Sequence, residues 1–237
     1  MSNTYRGYTL AQIMSAIDHS VLKPECSREE ILRACDVAIE QQTASLCIRP
    51  IDVPLAVERL AGSGVPVCTV IGFPHGTSTT ATKAFETREA VLSGASEVDM
   101  VLNVSALIAG DLETVETDIA AVVTAAREAN GFALVKVIFE TALLNREQII
   151  AACRISELAG ADFVKTSTGF ASDGATIENV RLMKESVGDR LKVKASGGVR
   201  TLDQVIDFLE AGADRCGASA TEKIVEEYKS RADLLNS

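Results

Sequence analysis

The sequence predicts an α/β fold, a closed (β/α)8 barrel of the TIM type, in a single domain spanning residues 1–237. Three observations carry this reading. Short β-rich runs alternate with helical periodicity along the whole chain, the pattern of βαβ units around a parallel sheet. Eight such runs share 237 residues, about 30 residues per unit and close to the ~250 usual for this barrel. A glycine-led template also recurs: Gly94-Ala-Ser-Glu-Val-Asp99, Gly160-Ala-Asp-Phe-Val-Lys165 and Gly212-Ala-Asp-Arg-Cys-Gly217, with Gly131-Phe-Ala-Leu-Val-Lys136 a looser copy. In each copy a glycine can end a helix in the left-handed conformation before a strand begins. A doubly wound open sheet is the alternative, but no Gly-x-Gly-x-x-Gly follows a strand to support it.

The elements follow in order. Tyr8–Ile17 is predicted helical and Ile17–Ser20 a short strand. Ser27-Arg-Glu-Glu30 has capping-box form and opens a helix to about Gln41. Strands are expected at Thr43–Ile48, Val65–Phe73, Glu97–Asn103, Ala133–Glu140, Asp162–Thr166, Leu191–Ala195 and Asp214–Gly217. Leu112, Val115, Ile119, Val122, Val123 and Ala126 follow helical spacing. So do Leu202, Val205, Ile206 and Leu209, opened by the capping box Thr201-Leu-Asp-Gln204.

Composition excludes several classes of function. Lys and Arg total 23 against 33 Asp and Glu, a net charge of −10. That balance gives no general field for displacing counterions, so nucleic acid is not an expected partner. No apolar run approaches 18 residues and the start, Met1-Ser-Asn-Thr-Tyr-Arg, is not an apolar leader, so neither membrane nor export is expected and the cytosol is the expected location. Six cysteines occur without any Cys-x-x-Cys and read as free buried thiols. Two histidines, His19 and His75, lie far apart and do not make a zinc set. No metal or cofactor is called for.

The informative feature is charge inside strands. A barrel strand buried on both faces should read as nearly continuous apolar sequence. Val98-Asp99-Met100, Val135-Lys136-Val137 and Val164-Lys165-Thr166 each break that run, and Lys194 does so in Leu191-Lys-Val-Lys-Ala. Asp99, Lys136 and Lys165 are each fifth after a template glycine, which predicts a comparable height on neighbouring strands. Lys194 is six after Gly188. An internal salt-bridge network around Asp99 is one reading. Site residues of this fold gather at the C-terminal ends of strands, which favours a catalytic one.

Two lysines and an acid suit Schiff-base chemistry. An amine must be neutral to attack a carbonyl, and a free lysine titrates near ~10.4. Desolvation in a mostly apolar tube and a neighbouring ammonium both lower that value. Two ammonium groups ~6 Å apart at an effective dielectric of ~20 repel by roughly 2.8 kcal/mol, about two pKa units. The resulting imine stabilises a carbanion at the next carbon, which is aldolase chemistry. Asp99 could carry protons through a water. On this basis the nucleophile is either Lys165 or Lys194.

A second cluster suits phosphate. Ser196-Gly197-Gly198-Val199-Arg200 follows the seventh strand, and Gly217-Ala218-Ser219 follows the eighth and precedes a helix, the common phosphate position of this barrel. Thr166-Ser167-Thr168-Gly169 is placed to close a third side. Cys47, His75, the pair Asp18-His19 and the pair Glu140-Thr141 end strands or follow them and stay undecided between site and scaffold.

At these residues the chain resembles the deoxyribose-phosphate aldolases, metal-free Schiff-base aldolases on a (β/α)8 barrel. The resemblance runs through Ile17-Asp-His-Ser-Val-Leu-Lys-Pro24, Glu97-Val-Asp-Met-Val-Leu-Asn103, Phe163-Val-Lys-Thr-Ser-Thr-Gly169 and Val193-Lys-Ala-Ser-Gly-Gly-Val-Arg200. It implies Lys165 as the Schiff-base residue, Lys194 as the lysine that tunes it and Asp99 as the acid of the proton relay. Lys136 and Asp18 support them, and Gly169, Gly197, Gly198 and Ser219 hold phosphate. The implied reaction is reversible cleavage of 2-deoxy-D-ribose 5-phosphate to D-glyceraldehyde 3-phosphate and acetaldehyde, in deoxyribonucleotide catabolism. A homo-oligomer, a dimer in the first instance, is implied in the same way. Two departures stand out. Ala220 replaces a second serine that some members carry. The chain closes Asp233-Leu-Leu-Asn-Ser237 without the terminal tyrosine of others, and its last tyrosine, Tyr228, falls in a predicted helix.

Overall fold

The computed structural model describes residues 4–234. Eight parallel strands close into one barrel in chain order: β1 Ile17–Val21, β2 Ser45–Ile48, β3 Val67–Ile71, β4 Glu97–Val101, β5 Leu134–Ile138, β6 Phe163–Lys165, β7 Lys192–Ser196 and β8 Arg215–Ala218. The helices are α1 Leu10–Met14, α2 Arg28–Gln41, α3 Val53–Leu60, α4 Thr80–Leu92, α5 Val104–Ala109, α6 Leu112–Ala129, α7 Arg146–Leu158, α8 Ile177–Val187, α9 Leu202–Glu210 and α10 Thr221–Leu234. Every predicted strand is present: β2 to β6 are trimmed by one or two residues at one end or both, β1 runs one residue further, and β7 and β8 each start and end one residue later than predicted.

Local chemistry sets the helix ends. Ser27 and Glu30 form the reciprocal capping box of α2, and Thr201 and Gln204 that of α9. The predicted first helix is shorter than its apolar pattern, because Thr9 caps it and Ser15 ends it. In α6, Val115, Ile119, Val122 and Ala126 are buried, whereas Leu112, at the first helical position, is half exposed. Gly94, Gly160 and Gly212 have φ of 107°, 80° and 105°, the left-handed turn the template requires. Gly131 is absent from that conformation; α6 ends instead on an extended Asn130, which is why its sequence match is the loosest.

The registers place the interior side chains. Asp99 pairs with Lys136 and Lys165 with Lys194, but Lys136 pairs with Phe163. The expectation of one common height is therefore corrected. Strand tilt in a barrel of shear 8 moves a level layer about one residue per strand, and each layer draws its four residues from alternate strands. Applied to the observed pairs, this puts Ser45, Glu97, Phe163 and Arg215 at the bottom. Asp18, Cys68, Lys136 and Lys194 come next, and Cys47, Asp99, Lys165 and Gly217 lie above them. Ser20, Val70, Ile138 and Ser196 form the rim.

The tube is thus polar, not mostly apolar as its sequence context suggests. Its apolar side chains are Phe163 at the floor, Val70 and Ile138 at the rim, and a small cluster of Cys47, Cys68 and Val70 capped by Leu22 and Phe73. The main core lies outside the strands. There Val98, Met100, Val135, Val137, Val164 and Val193 pack against Ile119, Val122, Val180, Met183, Val205 and Ile206 of the helices. Each fully buried aliphatic side chain there contributes about 1.5–3 kcal/mol.

Alternation along β1 separates the pair left undecided above. Asp18 points into the barrel, and His19 points outward, where its Nδ1 lies 2.8 Å from Thr221 Oγ1 at the start of α10. Burial holds the His19 pKa down to about 4, against an ordinary 6.5. The unfolded chain therefore takes up a proton that the native protein refuses, and this contribution to stability is present above pH 6.5 and lost as the pH falls toward 4. We expect about 3 kcal/mol of unfolding free energy to disappear across that interval. Urea unfolding at a series of pH values should show the loss in the native sequence and not in His19→Asn.

Candidate active site

Three carboxylates and four cations meet inside the barrel. Asp99 Oδ2 accepts from Lys165 Nζ and Lys194 Nζ, each at 2.7 Å, and Oδ1 accepts from Lys136 Nζ at 2.9 Å. The two amines on one oxygen are therefore no more than twice 2.7 Å apart. Lys194 Nζ also pairs with Asp18 Oδ2 at 2.5 Å. Lys136 Nζ pairs with Glu97 Oε2 at 2.5 Å and with Asp18 Oδ2 at 3.7 Å. Below them Arg215 bonds Asp18 Oδ1 at 2.5 Å and Glu97 Oε1 at 3.3 Å, and its guanidinium lies 5.8 Å from the Phe163 ring centre. The thiol of Cys68 donates to Asp99 Oδ1 at 3.2 Å.

The electrostatics follow from this sharing. Burial alone would raise the Asp99 carboxyl, but Lys136, Lys165 and Lys194 outweigh it and hold Asp99 well below the usual carboxylate range. Asp18 is held low likewise by Lys194, Lys136 and Arg215 against its burial. Burial would lower the Lys194 ammonium, yet Asp18 and Asp99 raise it, so Lys194 stays charged. Lys136 stays charged for the same reason, with Asp99 the largest of its stabilising neighbours.

The lysines are not equivalent. Lys136 has three carboxylate partners and Lys194 two, whereas Lys165 has Asp99 alone. Four cations face three anions, and Lys165 is the amine with the fewest anionic partners. It is also the one at the opening. A cavity of 430 Å³ at the C-terminal end of the strands is bordered by Lys165 and not by Lys136 or Lys194. Gly217 explains the space above them. A side chain there would begin 3.0 Å from Ser196 Cβ and 3.4 Å from Lys194 Cε, filling the quarter of the Lys165 layer that glycine leaves open.

The same cavity is lined by Gly169, Gly197, Gly198 and Ser219. The three glycines have φ of 85°, 88° and 79°, the left-handed region that glycine enters without steric cost. Gly197 and Gly174 touch backbone to backbone, since a Cβ on Gly174 would lie 2.1 Å from Gly197 O. Arg200 and Lys23 stand on the rim. Thr166 and Ser167 serve the scaffold: Thr166 Oγ1 donates to Ser196 O at 2.9 Å, and Ser196 Oγ donates to Ser167 O at 2.6 Å. Cys47 faces the barrel beside Cys68, and His75 is an exposed loop residue outside the lysine cluster.

A model of the DeoC/LacD family aldolases matches residues 12–226. The chain belongs to the DeoC/LacD family of aldolases. It is 55% identical over 213 residues to deoxyribose-phosphate aldolases of Bacillus mycoides (strain KBAB4) and Bacillus cereus (strain AH187), in each case across 90% of this chain and 94% of the relative. The barrel of this aldolase-family chain also superposes on a tetrameric deoxyribose phosphate aldolase from Aeropyrum pernix with a TM-score of 0.87 and 29% identity, covering 94% of this chain and 93% of that one. No helix among the described residues is long and apolar enough to cross a membrane.

Sequence reading missed Glu97, Arg215 and Cys68, and read Gly217 only as part of the phosphate turn after the eighth strand. Their role shows only once register is known: Glu97 and Arg215 fall in predicted strands, and nothing in the sequence marks these strand-initial charges as pointing into the barrel. Arg215 bridges Asp18 and Glu97 from β8, as Lys136 does from β5. Truncating one member of such a set leaves buried charge uncompensated, a cost of about 3–5 kcal/mol. Arg215→Met should show that loss in urea unfolding at neutral pH, while a loss below 1 kcal/mol would mean the network is solvent-relaxed.

Proposed function

We propose that this aldolase cleaves 2-deoxy-D-ribose 5-phosphate reversibly to D-glyceraldehyde 3-phosphate and acetaldehyde through a Schiff base on Lys165. The observation that carries the assignment of the nucleophile is the placement of Lys165: it is the barrel lysine with one carboxylate partner, and it borders the cavity that the glycine loops also line.

Lys165 Nζ attacks C1 of the open-chain sugar, and the carbinolamine loses water to give a protonated imine. The C3 hydroxyl gives up its proton as the C2–C3 bond breaks. The bonding electrons pass to C2 and on toward the imine nitrogen, which leaves an enamine and frees the phosphorylated aldehyde. A proton added at C2 restores the imine, and water then releases acetaldehyde and the amine. Asp99, within 2.7 Å of both amines, moves these protons through a water. Lys194 remains cationic beside the amine, and Lys136 and Asp18 hold Asp99 and Lys194 ionised.

The 5-phosphate occupies the part of the cavity lined by Gly169, Gly197, Gly198 and Ser219, which offer it N–H groups and a hydroxyl, and Arg200 and Lys23 add positive charge. Ala220 supplies no donor there. The substrate is thus a small sugar phosphate, acted on by single-domain subunits in the cytoplasm; the tetrameric relative supports a homo-oligomer as the working unit.

Borohydride reduction in the presence of acetaldehyde tests class and nucleophile together. Intact mass and peptide mapping should find one ethylated lysine, Lys165. Lys165→Met should abolish trapping and Lys194→Leu should slow it severely. Strong residual trapping in Lys165→Met would overturn the assignment.

A further inference from the structure

Glu140 is a buried carboxylate that the reaction above leaves unused. It follows β5 by two residues and sits at φ 57°, ψ 63°, a left-handed conformation that a glutamate adopts only when its surroundings impose it. The turn directs its side chain back toward the loop after β6. There its carboxylate accepts the Thr168 hydroxyl in a very short hydrogen bond and faces Thr168 N at 3.4 Å from both oxygens. Thr168 Oγ1 in turn accepts from Phe170 N at 3.1 Å. This chain of bonds straddles Gly169.

Neighbouring bonds stitch the same two segments. Phe139 N donates to Lys165 O and Thr141 N to Thr166 O, each at 3.0 Å. Thr141 Oγ1 lies 3.4 Å from Ser167 Oγ. The far end of the loop is held on the other phosphate turn, where Ala175 N donates to Gly197 O at 3.1 Å and Gly174 packs on Gly197. Between these anchors Gly169, at φ 85°, is shaped from its N-terminal side by Thr168 alone. Glu140 borders a separate cavity of 120 Å³, with His75 and Phe170, and not the 430 Å³ cavity. It therefore stands behind the loop, where its negative charge does not meet the phosphate.

We infer that Glu140 is a positioning residue for phosphate recognition: through Thr168 it fixes the turn that presents the Gly169 N–H to the substrate phosphate. This rests on the phosphate site proposed above. It separates the roles of two strand ends, with β6 supplying the amine and β5 setting the loop that follows it.

The test is acceptor kinetics in the synthetic direction, with acetaldehyde as donor and either D-glyceraldehyde 3-phosphate or unphosphorylated D-glyceraldehyde as acceptor. Glu140→Ala and Thr168→Val should each raise KM for the phosphorylated acceptor about tenfold, the effect of one misplaced charge-assisted contact. KM for D-glyceraldehyde should move less than twofold, as should kcat with either acceptor. The double variant should be no worse than the poorer single one, because both residues act through the same bond. Glu140→Gln, which keeps one acceptor oxygen for the Thr168 hydroxyl, should fall between native and Glu140→Ala and preserves the test if the alanine variant does not fold. Equal losses with both acceptors, a fall in kcat at constant KM, or additive effects of the two substitutions would overturn the inference. A native enzyme that does not distinguish the two acceptors would remove the phosphate reading, and this inference with it, while leaving borohydride trapping at Lys165 intact.

Discussion

The site depends on one carboxylate shared by three ammonium groups. Asp99 accepts from Lys136, Lys165 and Lys194 within 2.9 Å, in an interior where a lone charge would cost several kcal/mol. Remove the acid and three cations face one another across a sheltered space. Remove a lysine and the acid loses part of what keeps it ionised. Proximity to Asp99 favours the charged form of any amine, which opposes nucleophilic attack. Two of the three lysines also bind Asp18, and one of them Glu97, so their charges are fixed. Lys165 is the member of the set with no second anion.

This arrangement needs an unusual division of labour in the fold. A barrel of this kind commonly fills its interior with branched aliphatic layers. Here the interior carries the ion network, and the packing energy comes from the shell between strands and helices, where the outward faces of β4, β5, β6 and β7 meet α6, α8 and α9. Those contacts hold eight strands in register tightly enough for side chains from β1, β4, β5, β6, β7 and β8 to meet within hydrogen-bond distance. The rigid shell is what offsets the cost of desolvating charge inside, in keeping with preorganised groups acting strongly in a water-poor site.

Much of this was legible in the sequence, for identifiable reasons. Alternating β and helical periods gave eight strands because each strand is short and each helix presents one apolar face. Lys136, Lys165 and Asp99 stood out because a charge inside an otherwise apolar strand has few structural explanations. What stayed hidden is what register decides. The template glycines set where each strand starts, but the tilt of the sheet moves Lys165 two residues past the partner of Lys136. Arg215 and Glu97 begin their strands, and nothing in the sequence tells that both point inward. Glu140 ended a predicted strand and stayed undecided between site and scaffold, since its left-handed turn is imposed by contacts with a loop 28 positions further on. The sequence context of the lysines also suggested an apolar tube, because alternate residues on these strands are valines. Those valines face the helices, not the lumen.

The position of Tyr228 bears on how the enamine gains its proton. The tyrosine is buried on α10, its hydroxyl donating to Tyr8 O at 3.1 Å. α10 is itself latched across the base of the N-terminal segment, with Arg231 bonding both Asp203 Oδ1 at 2.6 Å and Tyr5 Oη at 2.7 Å. A side chain so engaged serves packing, and residues 235–237 lie outside the described part of the chain. Among the described residues, the groups arranged around Lys165 to move a proton are therefore those of the barrel itself. Asp99 alone touches both amines. Lys194 holds a proton firmly against two carboxylates, so it is a poor donor in the resting site but a strong electrostatic partner for Asp99. A water held in the space above Gly217 would stand beside Lys194 and between Ser20 and Ser196, within the same opening that admits the substrate. In the proposed cycle that opening does two things: it receives C2 and C3 of the sugar, and it gives Asp99 a path by which one proton can travel out to C3 oxygen or in to C2.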